Sequence, residues 1–114
     1  MKALEVFRMR RNDQLCISAV TVGEMLFGVA RRPDATKLNG VILSFLKDIK
    51  SVDWTAATAS IYARVRADTE KNGKPLGALD MMIAAHALET GAVLVTADKA
   101  FAHISALRRE NWAD

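Results

Sequence analysis

Two short apolar runs, Leu15–Val20 and Ala92–Thr96, do most to limit what this chain can fold into. Each is too short for a buried helix and rich in β-branched residues, so each reads as a buried strand. The segments between them carry helical spacing. Leu38, Val41, Ile42, Phe45, Leu46 and Ile49 recur at i, i+3, i+4 and i+7 across a helix predicted over residues 35–50. Strands separated by helices call for parallel pairing with crossover connections, hence an α/β domain.

The remaining elements follow from local signals. Residues 2–11 read as a short amphipathic helix with Leu4, Phe7 and Val6 inward, stopped by Asn12-Asp13. Residues 21–30 form a helix ending before Arg31-Arg32-Pro33. Ser51–Trp54 is a brief strand. Thr55 or Thr58 caps the helix that follows, and Asn72-Gly73 closes it. A helix after Pro75 carries Ile83, Ala84, Ala87 and Leu88 to a stop at Gly91. A helical turn lies near Phe101, with an extended tail over residues 107–112.

At 114 residues, 51% apolar and 25% charged, the chain has the composition of a single domain, 1–114, with an ordinary core. No run is long enough to span a bilayer, and the opening residues lack the apolar core of a signal peptide. Cys16 is a lone thiol inside an apolar run and reads as core. These features indicate a reduced, cytoplasmic protein. The net charge of +3 favours polyanions weakly. Arg8, Arg10 and Arg11, Arg31-Arg32 and Arg108-Arg109 either guide an RNA backbone or are plain solvated surface. Trp54 and Trp112 read as packing residues before base-stacking platforms. Tyr62, Ile61 and Val65 form either a core face or a dimer surface.

Three carboxylates are predicted to meet at one sheet edge. Glu24 follows the first apolar strand and Asp98 follows the second. Asp80 stands near the start of the helix that runs back against the second strand, on the face shared with Ile83, Ala84 and Ala87. In parallel sheets ligands bind beyond the carboxyl ends of the strands. Each acid also has a local explanation. Thr21 and Glu24 match a capping box, Asp80 complements a helix N-terminus, and Asp98 caps the turn into Lys99–Phe101. One hard divalent cation, Mg²⁺ or Mn²⁺, accounts for all three, since clustered carboxylates disfavour each other's charge. Zinc-type spacing is absent, so His86 and His103 read as structural or surface residues.

The stretches ISAVTVGEMLFG, KNGKPLGALDMMIAAHA and LVTADKAFAHISALRRENW resemble the PIN-domain ribonuclease toxins of the VapC type from bacterial toxin–antitoxin systems. That resemblance implies a Rossmann-like α/β/α sandwich with a mostly parallel sheet. It implies a metal-dependent endoribonuclease that dimerises and is silenced by a cognate antitoxin. By position, Glu24, Asp80 and Asp98 become the metal-holding set, with Thr96 beside it. The family's opening strand, which ends in an Asp-Thr-Asn-like turn bearing the first metal ligand, has no counterpart in MKALEVF. Either the true start lies upstream, or the expectation is an N-terminally shortened domain with its first central strand missing and its remaining strands repacked. Its bared strand edges would be covered by a second copy through strand exchange, and its cation binding would be weakened. The alternative is a non-catalytic remnant that binds antitoxin or RNA. A basic DNA-binding module fits less well, because no helix-turn-helix presents a basic recognition helix.

Overall fold

The computed structural model of the chain describes residues 4–73 and 76–112. Its elements run β1 (Val6–Arg8), β2 (Leu15–Ser18), α1 (Ala19–Arg31), α2 (Thr36–Asp48), β3 (Lys50–Val52), α3 (Ala56–Lys71), α4 (Ala78–Thr90), β4 (Val93–Val95), a 3-10 turn (Lys99–His103) and β5 (Arg109–Glu110). The strands form one sheet in the order β3-β2-β1-β4-β5. The pairs β2–β3 and β4–β5 are parallel, whereas β1 runs antiparallel to both β2 and β4. Four strands therefore share one direction, and the α/β expectation with a mostly parallel sheet holds.

The first segment departs from the sequence reading. Residues predicted as a helix instead form β1 and a hairpin turn, with Phe7 opposite Cys16 on one side and opposite Leu94 on the other. Asn12-Asp13 is the hairpin turn, not a helix stop. Asp13 takes φ 57°, a left-handed conformation that Asp tolerates. The Met9 amide donates to the Gln14 carbonyl and the Asp13 amide to that of Met9, both at 2.9 Å. Phe7 is buried, but Leu4 is exposed.

The central place in the sheet, expected to be vacant, is thus filled by β1. The inner edges of β2 and β4 are paired within the chain, so strand exchange loses its premise. Arg8 fixes the arrangement from the other face. Its Nε and Nη2 donate to Glu110 Oε1 and Oε2 at 3.1 and 2.6 Å across β4. That leaves Arg8 engaged within the fold and takes it out of any basic cluster aimed at RNA.

The helices start and stop where local chemistry directs. Ser18 caps α1 by accepting from the Val20 amide, which moves the helix start two residues earlier than predicted. Thr55 and Thr58 form a reciprocal capping box on α3. α4 ends at Gly91, whose φ of 73° suits glycine. Pro75 lies outside the described residues. Phe7, Cys16, Met81, Ile83, Ala84, Ala87, Leu94 and Phe101 make the core. Burial pushes the Cys16 thiol pKa up, in keeping with an inert core residue.

His86 is buried at the centre of α4. Its Nε2 lies 3.0 Å from the Asp53 carbonyl, which can only accept, so this nitrogen carries the proton. Nδ1 then accepts from the Ser18 hydroxyl at 2.7 Å. Phe7 and Trp54 meet the ring edge to face at 5.5 and 5.6 Å. The structural reading of His86 is correct, and Trp54 packs as expected, although β3 stops at Val52. Trp112 does not pack; it is exposed, with its indole N–H on Glu110.

Candidate active site

Strand direction defines the rim. β2, β3, β4 and β5 end there at Ser18, Val52, Val95 and Glu110, and β1, being reversed, begins there at Val6. α1 leaves the rim from Ser18. The turn at Gly91 folds β4 back along α4, which returns the first turn of that helix to the same side.

Glu24 lies in the second turn of α1 and is exposed. The capping-box reading fails for it, because the cap is Ser18 rather than Thr21. Thr21 is 5% exposed, and its Oγ1 has no hydrogen-bond partner among the described residues. Asp80 is half-buried in the first turn of α4, on the face of the buried Ile83, Ala84 and Ala87, as predicted. Asp98 follows β4 and caps the 3-10 turn, its Oδ1 accepting from the Ala100 amide at 2.9 Å. Its own amide donates to Thr96 Oγ1 at 3.0 Å. The local role foreseen for Asp98 is therefore real, and it leaves the residue at the rim.

One further carboxylate, Glu5, is buried beside Thr96. It immediately precedes β1, is 6% exposed, and its Oε2 accepts from the Thr96 hydroxyl at 3.3 Å. A cleft of about 130 Å³ opens beside Thr96 and Asp98, and Lys99, Arg109, Glu110 and Asn111 complete its lining. Arg8, and then Trp112, hold the Glu110 carboxyl below its usual pKa.

The donors at this edge are carboxylate and hydroxyl oxygens, the set that suits a hard divalent cation rather than zinc. They form an open arrangement. Among the described residues, no three His, Cys, Asp or Glu side chains are gathered closely enough to hold an ion. His86 is committed to the core, and His103 is exposed.

Known proteins share this chain's sequence and shape. Residues 1–107 match the PIN domain family. The tRNA(fMet)-specific endonuclease VapC of Shigella flexneri is 34% identical over 101 residues, covering 88% of this chain and 76% of that protein. Ribonuclease VapC2 of Haemophilus influenzae is 33% identical over 100 residues, with 87% and 76% covered. Among solved structures, VapBC2 from Rickettsia felis bound to a promoter DNA fragment superposes with a TM-score of 0.80 at 32% identity, covering 90% of this chain and 77% of that one. DNA-bound VapBC from Salmonella typhimurium gives 0.81 at 30% identity, covering 86% and 75%. The chain belongs to the PIN-domain family, and its relatives there are VapC ribonucleases.

Proposed function

We propose that this chain is a VapC-type endoribonuclease, the toxin of a toxin–antitoxin pair, which hydrolyses RNA phosphodiester bonds in the cytoplasm with Mg²⁺ or Mn²⁺. The observation that carries the reading is the match of residues 1–107 to the PIN domain family, in a chain whose relatives at 33–34% identity are named ribonucleases. A divalent cation bound at the rim would activate a water and offset charge developing on the phosphate. Glu24, Asp80 and Asp98 would supply oxygens to it, and Thr96 would hold the Asp98 turn through its hydroxyl. Among the described residues no helix is long and apolar enough to cross a membrane.

Antitoxin binding has its own support. α1 and α2 leave Leu26, Phe27, Leu38, Val41 and Leu43 exposed. An apolar surface of this kind suits a protein partner better than water. Homodimerisation remains part of the reading, through surface packing rather than strand exchange.

A second reading, binding of RNA or antitoxin without cleavage, is favoured by the open geometry of the acids. RNA incubated with the protein and Mn²⁺ separates the two. Cleavage is expected to stop on chelation and to fall on the order of 10²-fold or more in Asp80→Asn, as a lost electrostatic stabiliser would dictate. Retarded but intact RNA in the wild-type lanes would decide for the second reading.

A further inference from the structure

Tryptophan carries a large ring that folding ordinarily covers, yet Trp112 is 54% exposed. The ring is nonetheless held. Its Nε1 donates to Glu110 Oε1 at 3.1 Å, and the same carboxylate takes Arg8 Nε and Nη2 at 3.1 and 2.6 Å. Arg8 belongs to β1, the middle strand, so two side chains tie the indole to the centre of the sheet. An indole N–H lies in the plane of the ring, so this bond engages the edge and leaves both faces uncommitted. Among the described residues no other ring or cation is stacked on Trp112, whereas Trp54 meets Tyr62 and His86 edge to face. Trp112 also stands beside the cleft. Its chain neighbour Asn111 and its hydrogen-bond partner Glu110 both line that cleft, together with Lys99 and Arg109. Cations beside a fixed, bare aromatic suit a single nucleic-acid strand: the cations take backbone phosphates and the ring takes a base.

We propose that Trp112 is a stacking platform for one unpaired RNA base, on a strand whose phosphates lie along Lys99 and Arg109. This rests on the ribonuclease reading above and deepens it, restricting the substrate to RNA that is single-stranded where it meets the ring. Inside a duplex the faces of each base are covered by the pairs above and below, which leaves the indole nothing to stack on. Every base has a face, so the platform selects strandedness rather than sequence.

The test is titration of the full chain, in the non-cleaving Asp80→Asn background, with a labelled single-stranded RNA of roughly ten nucleotides and with its blunt duplex. Trp112→Ala is expected to weaken single-strand binding about fivefold or more, and Trp112→Phe to restore most of it. The salt slope should not change, because a neutral ring displaces no counterion. The chain has two tryptophans, and Trp54 is packed, so the single strand should quench a fluorescence that Trp112→Phe removes. Where the background binds too weakly to titrate, the KM for Mn²⁺-dependent cleavage by the chain with and without Trp112→Ala decides in the same way. Equal single-strand affinity in Trp112→Ala overturns the platform and leaves the ribonuclease reading standing. So does an equal loss on duplex, or a failure of Trp112→Phe to restore binding. Unchanged RNA affinity with an altered oligomeric state by light scattering gives Trp112 to a contact between copies, and overturns the platform too. A wild-type chain that neither binds nor cuts RNA with Mn²⁺ brings down the ribonuclease reading itself. Should Trp112→Ala fail to fold, Trp112→Leu, apolar but without a ring, takes its place.

Discussion

His86 is the residue on which most elements depend at once. It ties α4 to the Ser18 cap of α1 and to the Asp53 carbonyl beyond β3, with Phe7 and Trp54 against its ring. Burial lowers its pKa, and the hydrogen bond to the Asp53 carbonyl opposes that only in part. The unfolded chain therefore binds a proton more readily than the folded one. The stabilisation is fully present above the unfolded pKa of about 6.5 and is lost as pH falls from there through the lower folded value. Urea midpoints taken between pH 7.5 and 5 should decline on the acid side, and His86→Gln should flatten that decline. His86→Ala should cost ~2–4 kcal/mol at pH 7.5, from the cavity and the orphaned Ser18 and Asp53 groups. A wild-type midpoint that does not change over this range would contradict the account. Sequence could show that His86 falls mid-helix among small apolar residues. It could not show the partners, which come from segments 33 and 68 residues away.

Among the elements, β1 was the hardest to read, for a physical reason. Three residues give no usable period-two pattern. The strand is held by partners remote in sequence, with Glu110 lying 102 residues from Arg8. Tertiary packing overrides the weak local preference for helix. Elements with local terminators were legible: the Thr55 cap, Asn72-Gly73 and Gly91 each stand where predicted, the reciprocal bond from Thr58 being added by the structure. Asp80 in the first turn of α4 and Asp98 just after β4 stand at the element positions expected, because those terminators fix the reversal from α4 into β4. Helix α2 shows the opposite limit. Its apolar period is real, yet only Asn39 and Ile42 are buried; Phe45, Leu46 and Ile49 are half-buried, and Leu38 and Val41 are exposed. The dependence of the sheet on β1 can be measured. Phe7→Ala removes a ring that is 1% exposed and should cost about 3–5 kcal/mol. Hydrogen exchange should then quicken at the β1 amides and at their partners in β2 and β4. Exchange confined to β1 alone would mean that the strand is an add-on rather than the keystone between the two halves.

At the scale of the whole molecule, charge is distributed in a way that fits a polyanion handled by a cation. The net charge is +3, and on the proposed function Glu24, Asp80 and Asp98 would repel phosphate until a divalent cation offset their charge. Two cations, Lys99 and Arg109, line the cleft shared with Thr96 and Asp98. Arg8 contributes little, since Glu110 and Asp13 already engage its guanidinium. RNA would therefore be held by the cleft cations before the rim acts on it, and binding should separate from cleavage. With Asp80→Asn as the non-cleaving background, adding Lys99→Ala and Arg109→Ala should weaken RNA binding for every sequence alike. The slope of log affinity against log salt should fall by about 0.7 for each phosphate that is no longer neutralised, about 1.4 for the pair. Fluorescence anisotropy of labelled single-stranded RNA across roughly 50–200 mM salt reads this directly. An unchanged slope would move the phosphate track elsewhere on the surface, Arg31 and Arg32 being the next exposed pair. A slope that falls while Mn²⁺ affinity holds would show that the chain grips its substrate and its metal with separate sets of residues.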